Sequence, residues 1–109
     1  MPHDIEIYST INGRLPFSEW INGLRDMPGR AIIRSRINRL RLGNFGDCKS
    51  VGGGVLELRM DVGPGYRVYL GKDAGVVVVL LCGGDKRSQK RDITQAQNYW
   101  QDYRSRGND

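Results

Sequence analysis

Residues 54–86, GVLELRMDVGPGYRVYLGKDAGVVVVLLCGGDK, read as three successive β-strands joined by two glycine-containing turns, and the rest of the chain must pack around them. In residues 55–60, Leu56, Leu58 and Met60 alternate with Val55, Glu57 and Arg59, the period-two pattern of a half-buried strand. Residues 66–70 repeat it, with Tyr66, Val68 and Leu70 on one face and Arg67 and Tyr69 on the other. Between them Asp61-Val62-Gly63-Pro64-Gly65 supplies turn chemistry that neither strand can use. The third run, residues 76–81, is apolar throughout, which predicts a strand covered on both faces.

A hairpin centred on Gly63 places Arg59 directly across from Arg67. Like charges facing each other on a sheet cost about 0.2–1 kcal/mol. An anion between them removes that cost, and the planar fork of arginine matches a phosphate. The alternative is a solvated pair splayed apart and eased by Glu57, one step along the same face.

At 109 residues the chain makes one domain, 1–109, with no linker or repeat. No run approaches the roughly 20 apolar residues of a membrane helix, and the start, MPHDIEIYS, lacks the apolar region of a signal peptide. A cytoplasmic protein without membrane partners is expected. Cys48 and Cys82 have no metal-ligand spacing, and His3 is the sole histidine, so free thiols and no metal or cofactor are expected. Charge is unevenly placed. Residues 25–49 hold seven basic side chains (Arg25, Arg30, Arg34, Arg36, Arg39, Arg41, Lys49) against Asp26 and Asp47, a surplus equal to the +5 of the whole chain. A second basic knot, Lys86-Arg87-Ser88-Gln89-Lys90-Arg91, follows the third strand. Such patches favour a polyanion, either nucleic acid or an acidic protein segment.

At the N-terminus Ile5 and Ile7, alternating with Glu6 and Tyr8, mark a short strand that is expected to join the sheet. Pro16, Phe17, Trp20, Ile21 and Leu24 predict a helix over 16–24, and Ile33, Ile37 and Leu40 a second over about 30–42, ending at Gly43. The arginines of that second helix fit a solvated face as well as a polyanion contact through Arg34 and Arg41. Residues 49–51 predict a short strand before Gly52-Gly53-Gly54. Asp92 and Gln95 resemble a capping box opening a C-terminal helix on Ile93, Ala96, Trp100 and Tyr103, with residues 104–109 as a frayed tail.

Several blocks, taken in this order, carry a resemblance: residues 42–47 (LGNFGD), 54–59 (GVLELR), 63–69 (GPGYRVY) and Gly83-Gly84-Asp85-Lys86, followed by Gln89, Asp92, Ile93 and Ala96. Over nearly its whole length the chain resembles the phage-Gp49-like, HigB-type killer proteins of the RelE/ParE toxin superfamily. The resemblance implies an α+β, RelE/ParE-like fold: an N-terminal strand, a helical hairpin, a twisted antiparallel sheet of three to four strands and a C-terminal helix. It also implies the toxin of a type II toxin–antitoxin system, inhibited by a helix-turn-helix antitoxin and bound through that complex to operator DNA. In the RelE and HigB branches the toxin is an endoribonuclease that enters the ribosome and cuts translated mRNA. ParE-type relatives inhibit DNA gyrase without catalysis, and a relative that only binds antitoxin and operator DNA is a third possibility. By position Lys49, Arg59, Arg67 and Lys86 match the basic residues used around the scissile phosphate. Where the RelE branch has a catalytic tyrosine, this chain reads Lys90-Arg91-Asp92-Ile93.

Metal-independent RNA cleavage asks for three things: a group that takes the 2′-hydroxyl proton, fixed cations for the extra charge at phosphorus, and a donor to the leaving 5′-oxygen. Arg59, Arg67 and Lys86 fit the second task. Lys49 is a candidate base, because arginine neighbours favour a neutral lysine. Asp92 is a candidate at the acid–base step or, alternatively, the cap of the last helix. Arg34, Arg41, Arg87, Lys90 and Arg91 are the candidate RNA-binding cations.

Overall fold

The structure is a computed structural model and describes residues 2–107. Its elements are β1 (Asp4–Ile7), α1 (Pro16–Gly23), α2 (Met27–Arg41), β2 (Cys48–Ser50), β3 (Leu56–Met60), β4 (Tyr66–Asp73), β5 (Val77–Gly84), a 3-10 turn (Lys86–Ser88) and α3 (Gln89–Gly107). The fold is α+β. Five strands, in the order β1-β5-β4-β3-β2, form one mixed sheet: β2 to β5 are the four antiparallel strands at the upper end of the expected three to four, and the N-terminal strand joins them. Strand β1 joins the outer side of β5 in parallel, with Asp4 beside Val77 and Ile7 beside Leu80, while the other pairs are antiparallel. A four-residue alternating stretch carries no information about which neighbour it finds or in which direction it runs.

Alternation along the strands sorts two cores. On one face Leu58, Met60, Tyr66, Val68, Leu70, Val78 and Leu80 meet Phe17 and Ile21 of α1 and Ile33, Ile37 and Leu40 of α2. On the other, Val55, Tyr69, Val79, Leu81 and Cys82 meet Ala96 and Trp100 of α3 and the ring of Tyr8. Strand β5 is therefore covered on both sides, which explains its unbroken apolar run. Leu81 and Cys82 face the same side because the register slips by one residue: Tyr69 pairs with Cys82 but Leu70 with Leu80, leaving Leu81 as the extra residue of a bulge. Beyond it, Gly84 lies beside Arg67.

Two strand glycines make room for the tryptophans. A Cβ at Gly71 would fall on the Trp100 ring, and one at Gly83 on the Trp20 ring. Gly71→Ala and Gly83→Ala are each expected to lower stability by about 1–3 kcal/mol through overpacking, read as a fall in urea midpoint with unchanged slope.

Helix α2 starts earlier than its apolar spacing predicts, because Asp26 caps it by accepting from the Gly29 N–H at 3.0 Å. The Tyr66 hydroxyl donates to the same carboxylate at 2.8 Å and ties the helix to β4. Helix α3 likewise begins at Gln89, not at Asp92. Its entry is capped by Asp85, whose side chain accepts from the Arg87 and Ser88 N–H groups while the Ser88 hydroxyl accepts from the Asp85 N–H. The expected frayed tail is helical as far as Gly107, and Asn108 and Asp109 lie outside the described residues. Arg106 bonds Asp102 at 2.7 Å and the Ser9 carbonyl at 2.6 Å, so the last turns of α3 are held against the start of the chain.

Candidate functional site

The pairing of β3 with β4 sets Arg59 directly opposite Arg67, as the turn at Gly63 predicts. One pair further in, Glu57 faces Tyr69, and Lys49 of edge strand β2 faces Glu57 from the other side. These residues share the sheet face on which α3 packs. At this end of the sheet the 3-10 turn meets the Pro64 carbonyl through the Lys86 N–H, and Gln89 at the start of α3 reaches Glu57.

Glu57 is the centre of the arrangement. Its side chain is 0% exposed. Its Oε2 accepts from the Tyr69 hydroxyl at 3.1 Å and from Gln89 Nε2 at 2.8 Å, and lies 3.6 Å from Arg67 Nε. Its Oε1 lies 3.9 Å from Arg59 Nε. The counter-charge to the two facing guanidiniums is thus Glu57, as the alternative of a Glu57-eased pair has it, although of the two only Arg59 is solvated. The arginines differ in access. Arg67 is only 7% exposed at its side chain and donates to the Gly65 carbonyl at 3.0 Å. Arg59 is 39% exposed and, among the described residues, its guanidinium makes only the ion pair with Glu57. A cavity of about 150 Å³ lined by Asp47, Arg59, Met60, Asp61 and Arg67 opens beside them.

Arg36 holds this geometry from behind. It reaches from α2 to donate to the Arg59 carbonyl at 2.7 Å, and also to the carbonyls of Phe45 and Asp47. The helical spacing that places it three residues after the inward-facing Ile33 was its signal in the sequence. Lys49 is exposed on β2. Lys86 is exposed where its N–H meets the Pro64 carbonyl, next to the turn that anchors Arg67. Arg87, Lys90 and Arg91 surround a depression of about 520 Å³ that Asp85 and Ser88 also line. Asp92 is buried one turn inside α3, lies against Gly84, and accepts from the Ser88 hydroxyl at 2.5 Å. Its expected role as a helix cap is thereby corrected, since Asp85 fills it. Arg34 and Arg41 are exposed on α2, whose apolar side packs on the opposite face of the sheet, so they do not join the Arg59–Arg67 group.

No family model matches the sequence. An uncharacterized protein of Haemophilus influenzae (strain ATCC 51907 / DSM 11121 / KW20 / Rd) is 54% identical over 86 residues, covering 79% of this chain and 87% of the relative. The chain belongs to the same family.

In this family member the chemistry open to the site is narrowed by its phenols. Burial, then the charge of Glu57, pushes the Tyr69 hydroxyl far above its ordinary range. Burial and the hydrogen bond to Asp26 push Tyr66 up to about 12. Neither is a phenolate at neutral pH, so neither serves as a base. His3 packs edge-on against Phe45 beside the start of β5, the far end of that strand from Gly84. Tyr8 and Tyr103 also rise to about 12, chiefly by burial, and Tyr99 rises for the same reason. The protein has five tyrosines, all thus shifted. A spectrophotometric titration of the folded protein is therefore expected to show little phenolate near pH 10, where the urea-unfolded chain ionises. Because the folded pKa values are the higher ones, the stability that Tyr8, Tyr66 and Tyr103 carry is complete below pH 10 and is lost as pH rises through about 12. Ordinary titration near 10 in the folded state would contradict this packing.

Proposed function

We propose that this chain is the toxin of a type II toxin–antitoxin pair, with the RelE/ParE fold and HigB-type activity, and that it cuts mRNA on the ribosome. The observation that carries the reading is the half-exposed Arg59, whose guanidinium has, among the described residues, only Glu57 as an ion-pair partner, standing opposite the buried Arg67 at the end of the sheet where Lys86, Arg87, Lys90 and Arg91 also collect.

In the proposed reaction a ribose 2′-oxygen attacks the adjacent phosphorus and the bond to the 5′-oxygen breaks, leaving a cyclic phosphate, while the departing 5′-oxygen takes a proton from solvent water to become a hydroxyl. Arg59 and Arg67 stabilise the added negative charge, with Lys86 beside them. Lys49 takes the 2′-proton from the open edge of the same face. Arg87, Lys90 and Arg91 hold the flanking phosphates, and Arg34 and Arg41, on the other face, contact a separate polyanion such as ribosomal RNA. Asp92 acts indirectly, fixing the turn that presents Lys86 and Arg87 through Ser88. The partners are a helix-turn-helix antitoxin, the ribosome with its mRNA, and operator DNA through the antitoxin complex, all in the cytoplasm.

A second reading, ParE-like inhibition of DNA gyrase, is favoured by Glu57: a guanidinium pair that carries its own counter-charge is stable without any phosphate. Mapping 5′ ends of a defined mRNA after adding protein to a translation reaction, with and without ribosomes, separates the two. Cuts in phase with codons that require ribosomes are expected. Intact mRNA together with blocked gyrase supercoiling would establish the alternative, and loss of neither activity would leave a protein that only binds antitoxin and operator DNA.

A further inference from the structure

We propose that Glu57 is a positioning residue that presents Arg59 to a phosphodiester; in its catalytic form this rests on the ribonuclease reading above. Burying an ion pair inside a sheet is costly, and replacing both partners by apolar side chains of similar volume commonly serves stability as well or better. Three polar groups nevertheless converge on one of the Glu57 carboxylate oxygens: Tyr69 from β4, Gln89 from α3, and Arg67. They fix the carboxylate through two elements besides its own strand.

The other oxygen is left without a hydrogen-bond partner among the described residues, buried, and 3.9 Å from Arg59 Nε. Both ion pairs thus reach the Nε edges of the guanidiniums. Among the described residues nothing engages the terminal nitrogens of Arg59, the pair that forks onto a phosphate. The carboxylate orients Arg59 without occupying the nitrogens that the substrate needs. It also offsets part of the positive charge of the pair, which moderates the grip on ground-state phosphate while the geometry favours the more highly charged transition state.

Two measurements on the full chain test this. The first is the Nε–H correlation of Arg59 and Arg67 by nitrogen-15 NMR, which needs no RNA. The second is single-turnover cleavage on programmed ribosomes, expressed per folded molecule. Glu57→Gln is expected to move the Arg59 signal towards that of a free guanidinium, to lower kcat on the order of 100-fold, and to leave KM no higher than wild type. Glu57→Asp is expected to restore part of kcat. A folded Glu57→Gln protein with wild-type kcat and an unmoved Arg59 signal would overturn the proposal. Where Glu57→Gln does not fold, Gln89→Leu removes one tie to the carboxylate; it is expected to shift the same signal and lower kcat about tenfold, and no change in either overturns the proposal. Wild-type protein that cuts nothing overturns the ribonuclease reading instead, and the arginine signals then decide the positioning of Arg59 alone.

Discussion

Glu57→Leu is expected to destabilise the fold by about 3–5 kcal/mol, the cost of leaving a buried charge without its partner. For a domain of this size that corresponds to a fall in Tm on the order of 15 °C or more. The loss originates with Arg67, whose Nε has no hydrogen-bond partner among the described residues and whose nearest carboxylate is the one removed. The Tyr69 hydroxyl, fully buried, and the Gln89 amide lose their acceptor as well. Glutamine at the same position keeps an acceptor oxygen, so its cost is smaller. The decisive comparison is with the double variant Glu57→Leu/Arg67→Leu, which removes both charges and is expected to recover much of the lost stability. Urea unfolding of the two single variants and the double gives the coupling energy. Singles that simply add would mean that the 3.6 Å approach carries no energy.

Arg59→Ala is expected to reduce ribosome-dependent cleavage by about 10²–10³-fold while changing stability far less than Glu57→Leu does. The asymmetry follows from access. Among the described residues the Arg59 guanidinium has one polar contact with the protein, at 3.9 Å, and the side chain is 39% exposed, so little of the fold depends on it. Arg36 bonds the backbone carbonyl of residue 59, not its side chain, and so holds the strand in the variant as in the wild type. Single-turnover cleavage together with thermal unfolding of the same preparation checks both halves. A variant that unfolds as readily as Glu57→Leu would move Arg59 from chemistry to structure, and one that cuts at the wild-type rate would remove it from the reaction.

Much of this arrangement was legible in the sequence because it depends on local rules. Alternation in residues 55–60 and 66–70, with a glycine-proline-glycine turn between them, determines which side chains share a face and brings Arg59 opposite Arg67. The unbroken apolar run of β5 foretold cover on both sides. What escaped depends on distant partners. Glu57 read as a neighbour easing two arginines, because its depth is set by Gln89 of α3, far along the chain. Arg36 looked like its exposed companions Arg34 and Arg41, although only it reaches the carbonyls at the β2–β3 edge. Asp92 and Asp85 both offer capping chemistry. Asp85 prevails because the chain leaves β5 at Gly84, which puts Asp85 at the opening turn and buries Asp92 against the strand. The bulge at Leu81 has no mark in a run of valines and leucines.

The two glycine seats, Gly71 beneath Trp100 and Gly83 beneath Trp20, give the molecule a pair of optical reporters. With two tryptophans in the chain and one on each side of the sheet, fluorescence from Trp20 follows docking of the helical hairpin and that from Trp100 follows docking of α3. Single-tryptophan variants would therefore time the closing of each layer during folding. They would also register from which side a partner, such as the proposed antitoxin or ribosome, approaches, with no dye attached.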